Sequence, residues 1–148
     1  MELLRLAALD AEDLTVISAH LQDAILRPGD LTYLSTERRF LMALRRFDWS
    51  GAAGAPPRRR LAGVHVERVL AARMRGLTPG EDAPLSLLAL TFEPTEAPSG
   101  RIDLVFSGGA AIRLEVECVE MLMKDLGPVW EAAGRPGHTT DAASGTAA

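Results

Sequence analysis

The chain has 148 residues, of which 47% are hydrophobic and 24% are charged. This balance is typical of one globular domain and excludes disordered, collagen-like and coiled-coil proteins. The net charge of −4 is unevenly distributed, because residues 38–75 contain ten arginines and only two acidic residues.

The cysteine count and the apolar runs predict a cellular location. Cys118 is the single cysteine, so no disulfide forms within the chain. Residues 1–13 carry both signs of charge, unlike the basic start and apolar stretch of a secretory signal. The longest uncharged apolar run, residues 83–92, is shorter than the roughly 20 residues of a membrane helix. We therefore predict a cytoplasmic protein without a membrane segment.

The first quarter of the chain predicts a short strand, a helix and a second strand. Residues 3–9 are apolar apart from Arg5 and suit an edge strand or an extended lead-in. Asp10 is predicted to cap a helix, because its carboxylate can accept backbone N–H groups of the first turn. Pro28-Gly29-Asp30 ends this helix, and the period changes to two over residues 31–34. Apolar residues recur at helical spacing within the helix: Leu14, Ile17, Leu21, Ala24 and Ile25.

Residues 40–49 predict a strand with one irregularity. Apolar side chains occupy even positions up to Leu44 and odd positions from Phe47, so the alternation slips by one residue. A β-bulge near Arg45-Arg46 would return Phe47 and Trp49 to the side that faces the core.

The next apolar segment follows a loop of small residues at 50–57. Residues 61–74 predict a long bent strand, with a second slip of the alternation near Glu67-Arg68. A helix over residues 66–75 is the competing interpretation. Residues 76–84 form the following loop.

The second half predicts a hairpin between a buried strand and a helix. Residues 85–92 are apolar on both faces, which indicates a central strand. Residues 102–106 and 112–116 alternate on either side of Gly108-Gly109, which suits a tight turn with positive φ. Helical spacing returns after the hairpin: Val119, Leu122, Met123 and Leu126.

These elements predict an α+β fold. No helical crossover separates consecutive strands, so they pair antiparallel. We predict a single domain over residues 1–133, with a bent antiparallel sheet of about six strands and two helices packed on one face. A pleckstrin-homology-like half-barrel closed by a C-terminal helix has a similar element order. Residues 134–148 contain little to bury and are predicted to form a mobile tail.

The Arg-rich middle of the chain is the strongest candidate for a binding surface. Arginine binds phosphate and carboxylate groups bidentately, and basic residues interleaved with aromatics are typical of single-strand nucleic acid binding. Two alternatives remain, namely a solvated sheet face and neutralisation by Asp103, Glu115 and Glu117 on an adjacent strand. The candidate ligand-binding residues are Arg45, Arg46, Trp49, Arg58, Arg59 and Arg60.

The sequence contains no motif of a known catalytic or metal centre. It lacks a Gly-x-Ser-x-Gly elbow, a phosphate-binding loop and a dinucleotide-binding turn. His20, His65 and His138 have no partner at metal-ligand spacing, and Cys118 lies among glutamates, which favours an inert thiol. We therefore predict no catalytic residue, metal or cofactor.

Three functions remain open. The first is a non-enzymatic binding or interaction module, including a homodimer formed through an exposed strand edge. The second is a binder of nucleic acid or a phosphorylated ligand through the Arg-rich surface, although the pI near 5.4 disfavours general affinity for nucleic acid. The third is an enzyme of unknown class that uses His20 or His65 as a general base.

Three stretches resemble a family of small alphaproteobacterial proteins catalogued as domain of unknown function 2948. They are ALDAEDLTVISAHLQDAILRPGDLTYL, ERRFLMALRRFDW and AIRLEVECVEMLMKDLGPVW. The resemblance covers residues 3–130 and implies a cytoplasmic, single-domain bacterial protein. It supplies no catalytic residue.

Overall fold

The computed structural model describes residues 3–48, 58–78 and 80–131, which contain one α-helix and ten strands. The helix is α1 (Ala11–Leu21). The strands are β1 (Arg5–Ala8), β2 (Ala24–Leu26), β3 (Leu31–Leu34), β4 (Arg39–Asp48), β5 (Arg58–Val66), β6 (Val69–Arg75), β7 (Leu85–Pro94), β8 (Gly100–Phe106), β9 (Ala111–Val116) and β10 (Met121–Glu131).

All the strands belong to one antiparallel sheet, ordered β1-β10-β5-β4-β2-β7-β8-β9-β6, with β3 also paired to β4. The chain bends at Glu67-Arg68, where Arg68 has a φ of 60°, and β6 continues from β5. Strand β6, at one end of the strand order, therefore follows directly from β5, which lies near the middle of that order. The sheet thus curls around its own core. We call β1, β10, β5, β4 and β3 the first half-sheet, and β6, β9, β8 and β7 the second half-sheet.

The core lies between the inner faces of the two half-sheets and α1. Inner side chains such as Phe40 and Phe106 are fully buried. The helix packs against β7, β1 and β4 and buries Leu14, Ile17 and Leu21 in the same cluster. Among the described residues, no helix has the length and apolar character needed to cross a membrane.

The predicted start of the first helix is confirmed, but the predicted end at Pro28-Gly29-Asp30 is wrong. The Asp10 carboxylate accepts a hydrogen bond from the Asp13 N–H at 2.8 Å. The helix ends at Leu21, well before Pro28, because Asp23 takes a left-handed φ of 67° and the next three residues pair with β7.

The predicted bulge near Arg45-Arg46 is wrong. The pairing of β4 with β5 runs without a shift along the whole strand. Arg46 and Asp48 occupy buried inner positions, whereas Phe47 lies on the opposite side. The apparent slip in the sequence therefore marks charged residues inside the fold, with no change in the backbone.

The predicted second helix is also wrong, because its residues form β10 between β1 and β5. Met121 and Met123 are 2% and 0% exposed, whereas Leu126, which the helical stripe would bury, is 47% exposed. This overturns the predicted fold class of about six strands with two helices, together with the half-barrel closed by a C-terminal helix. The described chain is mostly sheet, with one helix.

Other strand predictions are confirmed. The long bent strand appears as β5 and β6, so the competing helix over residues 66–75 is wrong. The hairpin appears as β8 and β9, and Gly108 and Gly109 have positive φ. Strand β7 lies between β2 and β8 as expected of a central strand, but Leu88 on it is 44% exposed. The predicted mobile tail, residues 134–148, lies outside the described residues.

Candidate functional site

The structure divides the predicted Arg site between two faces of the first half-sheet. Arg46 lies directly opposite Arg60 in the pairing of β4 with β5, and both are buried on the inner side. Arg45 and Arg59 take alternate positions on the same two strands and belong to the outer side. Arg58 is half-buried opposite the inner Asp48, and Trp49 lies outside the described residues.

The inner arginines are held in two buried ion pairs. Arg46 donates from Nε and Nη2 to the two carboxylate oxygens of Asp125, at 2.8 and 3.0 Å. The backbone N–H of Leu4 also donates to Asp125 at 2.8 Å. Arg60 donates from Nε to Asp48 at 2.8 Å. Each of these two inner cations thus has a carboxylate within hydrogen-bond distance.

This environment alters the ionisation of Asp125. Burial raises the pKa of Asp125, but the hydrogen bonds from Arg46 and the Leu4 N–H outweigh it, so the pKa lies below its ordinary value. The carboxylate is therefore charged at neutral pH and matches the fixed charge of Arg46.

The outer arginines also have partners within the fold. Arg59 donates from Nη1 to the Arg45 carbonyl at 3.1 Å, and its guanidinium lies 5.5 Å from the centre of the Phe47 ring. Arg45 is exposed and lies 4.0 Å from Asp30. Ligand binding by the six predicted residues stays a prediction. Carboxylates and a backbone carbonyl of the chain itself already contact several of these arginines and would compete with a ligand.

Carboxylates neutralise most of the other arginines in residues 38–75. Glu117 lies 3.2 Å from Arg38 and 3.7 Å from Arg68, and Glu120 lies 2.9 Å from Arg68. Glu115 lies 3.7 Å from Arg73. Of the acidic residues proposed from the sequence as neutralising partners, Glu117 lies beside Arg38, whereas Glu115 and Asp103 lie beside Arg73 and Arg113, which are not among the arginines they were expected to neutralise.

The sequence-predicted general bases lie in different settings. The His65 ring contacts Glu67 at 2.6 Å through Nδ1, and Glu67 also accepts from Arg39 at 2.9 Å. Burial raises the pKa of Glu67, but the hydrogen bonds from His65 and Arg39 outweigh it and lower the pKa overall. The His20 ring contacts the Val16 carbonyl of its own helix at 3.0 Å. Among the described residues, no cluster of three or more acidic, His or Cys side chains could hold a metal ion.

A groove between α1 and β7 has about 490 Å³ of space and an uncharged lining. Its walls include Thr15, Ser18, Leu88 and Phe92. The Ser18 hydroxyl accepts the backbone N–H of Leu90 at 3.1 Å, so the helix already covers this edge of β7. The groove holds no acid or base for catalysis.

The outer face of the second half-sheet is a ladder of opposite charges. Asp103 lies opposite Arg113, which donates to both of its carboxylate oxygens at 2.8 and 3.0 Å. Arg101 lies between Glu93 and Glu115 across three strands. We call this surface the charge ladder.

The outer face of the first half-sheet has a different character. Most of its positions on β4, β5 and β10 are leucines or small residues, and all are partly or largely exposed. Three side chains on the same face are polar: Arg45 opposite Leu61, His65 opposite Leu41 and Leu122, and Lys124 opposite Gly63. The Leu126 side chain lies over Gly63, where an added Cβ would come within 3.0 Å of it. We call this surface the apolar face, and its residues are Leu41, Ala43, Leu61, Gly63, Leu122 and Leu126.

Two cations lie opposite each other where the apolar face meets β1. Arg5 on β1 is directly opposite Lys124 on β10, and both are exposed. Neither forms an ion pair with any residue that the structure describes. Lys124 is also the only lysine of the chain.

Sequence reasoning missed the apolar face. The signal was the unbroken apolar run Phe40–Leu44, which is typical of a strand with apolar residues on both faces. Residues 121–123 form a shorter run of the same kind. In each run, the periodicity identifies only the side chains that face the core.

The match to a known family covers these elements. A family model described as a protein of unknown function, DUF2948, matches residues 4–138. The chain belongs to this family. The match includes α1 and all ten strands, and thus the apolar face and the buried ion pairs. Neither a curated protein nor a solved structure matches the chain.

Proposed function

We propose that the protein is a non-enzymatic interaction module that binds a partner protein through the apolar face. The observation that carries this proposal is the contrast between the two outer surfaces of one sheet. The charge ladder has its own electrostatic partners and suits contact with water. The apolar face has leucines that α1 does not cover, because α1 packs with the inner residues.

The energetics favour a covered apolar face. A sheet with an apolar surface normally buries it against another layer. Full burial of one exposed leucine contributes about 1.5–3 kcal/mol, in proportion to the surface that is removed from water. Leu126 is 47% exposed and can contribute about 1 kcal/mol to association, and the other three leucines, which are less exposed, each contribute less.

A strand edge supports self-association less well. Strand β6 pairs with β9 on one side only, and its exposed residues include Arg73 and Arg75. Charged residues on an edge strand oppose pairing with a second copy. On the apolar face, Lys124 lies opposite Gly63, and leucines occupy the same-face positions before and after it on β10.

The competing functions have weaker support. Arg46 and Arg60 are held by buried carboxylates, so a nucleic acid or phosphate would have to displace Asp125 and Asp48. His65 is bonded to Glu67, and the groove beside α1 is uncharged. We further propose that the protein acts in a bacterial cytoplasm, which the single cysteine supports.

Site-specific photo-crosslinking in the producing cell tests the proposal. A photoreactive amino acid replaces Leu126 on the apolar face or Val105 on the second half-sheet, which have similar exposures of 47% and 39%. We expect a discrete adduct from position 126 only, and its loss when Leu61→Asp is added. An adduct of twice the chain mass would identify a second copy as the partner.

Two results would overturn the proposal. One is the absence of any adduct from position 126 in cells where the full chain is folded. The other is an equal set of adducts from positions 126 and 105, since that pattern reflects collision without a specific surface.

A further inference from the structure

We infer that the partner segment is an acidic amphipathic helix whose carboxylates pair with Arg5 and Lys124. This inference rests on the proposed function and names the chemistry of the partner. It follows from two cations on the apolar face that have no carboxylate partner in the described part of the chain, and from the hydrogen bonding of the strands beneath that face.

The Arg5–Lys124 pair is electrostatically unlike the other cross-strand pairs. Like charges directly opposite each other in a sheet are destabilising. Arg73 and Arg113 are also opposed, but Glu115 lies 3.7 Å from Arg73, and Asp103 lies 2.8 Å from Arg113. The Arg5–Lys124 pair has no such carboxylate among the described residues, so an external carboxylate would relieve its repulsion.

The position of this pair ties it to the apolar face. Lys124 lies on β10 between Leu122 and Leu126, and directly opposite Gly63 of β5. A segment that packs on these two leucines therefore comes within reach of both cations. Its apolar side chains would contact the leucines while acidic side chains at its border reach Arg5 and Lys124.

The hydrogen bonding of the strands beneath the apolar face favours a helical partner segment over an extended one. Strand β10 is paired on both sides, with β1 and β5, and β5 is paired on both sides, with β10 and β4. An extended segment lying on this face would find no free backbone group and would leave its own groups unpaired. A helix satisfies its backbone internally, and its diameter of about 10 Å matches three strands spaced roughly 4.8 Å apart.

Charge argues against two other occupants. A second copy that presents the same face would bring its own Arg5 and Lys124, and the carboxylates beside that face, Glu67 and Asp30, already lie against arginines of the same chain. An anionic membrane would attract this face, but the chain as a whole carries a net charge of −4. A short acidic helix would contact only the apolar face, and it would not meet the acidic remainder of the chain.

Two synthetic peptides of about 16 residues test the inference. They share one leucine stripe, and the residues that flank it are all Glu in one peptide and all Lys in the other. Calorimetry with the full chain should show about fivefold tighter binding of the Glu peptide, as two surface ion pairs would give. The difference should shrink as salt is added.

Charge reversal supplies the matched control. Arg5→Glu combined with Lys124→Glu should reverse the preference between the peptides. Arg75→Glu removes an exposed arginine from the edge of the second half-sheet and should leave the preference unchanged. Circular dichroism confirms that each variant is folded.

The outcomes separate this inference from the proposed function. Equal binding of both peptides, abolished by Leu61→Asp, overturns the acidic partner and keeps the apolar face as a binding surface. Binding of neither peptide overturns the inference, while crosslinking from position 126 decides the proposed function independently. Binding to phosphatidylglycerol vesicles but to neither peptide overturns it in favour of a lipid surface.

Discussion

Removal of the Asp125 carboxylate should destabilise the fold by about 3–5 kcal/mol, the usual effect of leaving a buried charge without its partner. The Arg46 and Asp125 side chains are 6% and 0% exposed. Two direct hydrogen bonds join them, and the Leu4 N–H donates a third to the same carboxylate. Asp125→Leu would leave the Arg46 guanidinium desolvated and without a counter-ion.

A double-mutant cycle measures how far the two charges depend on each other. Asp125→Leu and Arg46→Met should each be strongly destabilising, because each leaves one buried charge. The double variant should lose much less stability than the two single variants lose together, because replacing a buried ion pair by apolar residues is often neutral. Asp103→Leu breaks an exposed pair with Arg113 and should cost about 1 kcal/mol or less.

Urea unfolding followed by circular dichroism gives the free energies. At roughly 3 °C per kcal/mol for a chain of this size, each single variant should lower Tm by about 10 °C or more. A free energy of unfolding for Asp125→Leu within about 1 kcal/mol of the parent value would refute this account. A double variant that loses as much stability as both single variants together would also refute it.

Two further predictions concern acid stability and close backbone packing. The pKa of Asp125 is lowered in the folded state, so its contribution is present above about pH 4 and is lost as pH falls further. Asp125→Asn should flatten the pH dependence of unfolding in that range, and an unchanged acid transition would contradict this account. Gly100→Ala should destabilise by about 1–3 kcal/mol, because its Cβ would lie 2.5 Å from the Glu93 carbonyl oxygen. Gly127→Ala, which has nothing within 4 Å, is the control for the same unfolding measurement, and equal losses would refute the packing argument.

Several elements could be predicted because their signals are local. Asp10 caps α1 through a hydrogen bond to a residue three positions away. The hairpin of β8 and β9 follows from alternation on both sides of Gly108-Gly109, whose positive φ suits the turn. The bend near Glu67-Arg68 shows as a slip in alternation, and there the backbone does bend.

Two errors share one physical cause. The slip in the alternation of apolar residues places Arg46 outside and requires a bulge, and the helical spacing of residues 119–126 places Asp125 opposite the apolar stripe. Both residues face the core, and each is tolerated there because the other is its partner from a strand 79 residues away. Hydrophobic periodicity assumes that charged residues lie outside, so it fails where two of them are buried together.

The candidate surface shows the same limit. The apolar run at residues 40–44 was visible, but a run alone does not reveal whether its second face meets another layer. The opposition of Arg5 and Lys124 depends on the register of β1 with β10, two strands far apart in the chain.

The amino-acid sequence by itself determined the antiparallel strands, the capped helix and the uneven placement of arginine, since these depend on neighbouring residues and on composition. Only the tertiary structure decided which arginines are neutralised inside, which face is mostly apolar and where two cations lie opposite each other without a carboxylate among the described residues. Those features depend on contacts between distant strands, and the free energy of burying a charge is set by the partner that the fold brings to it.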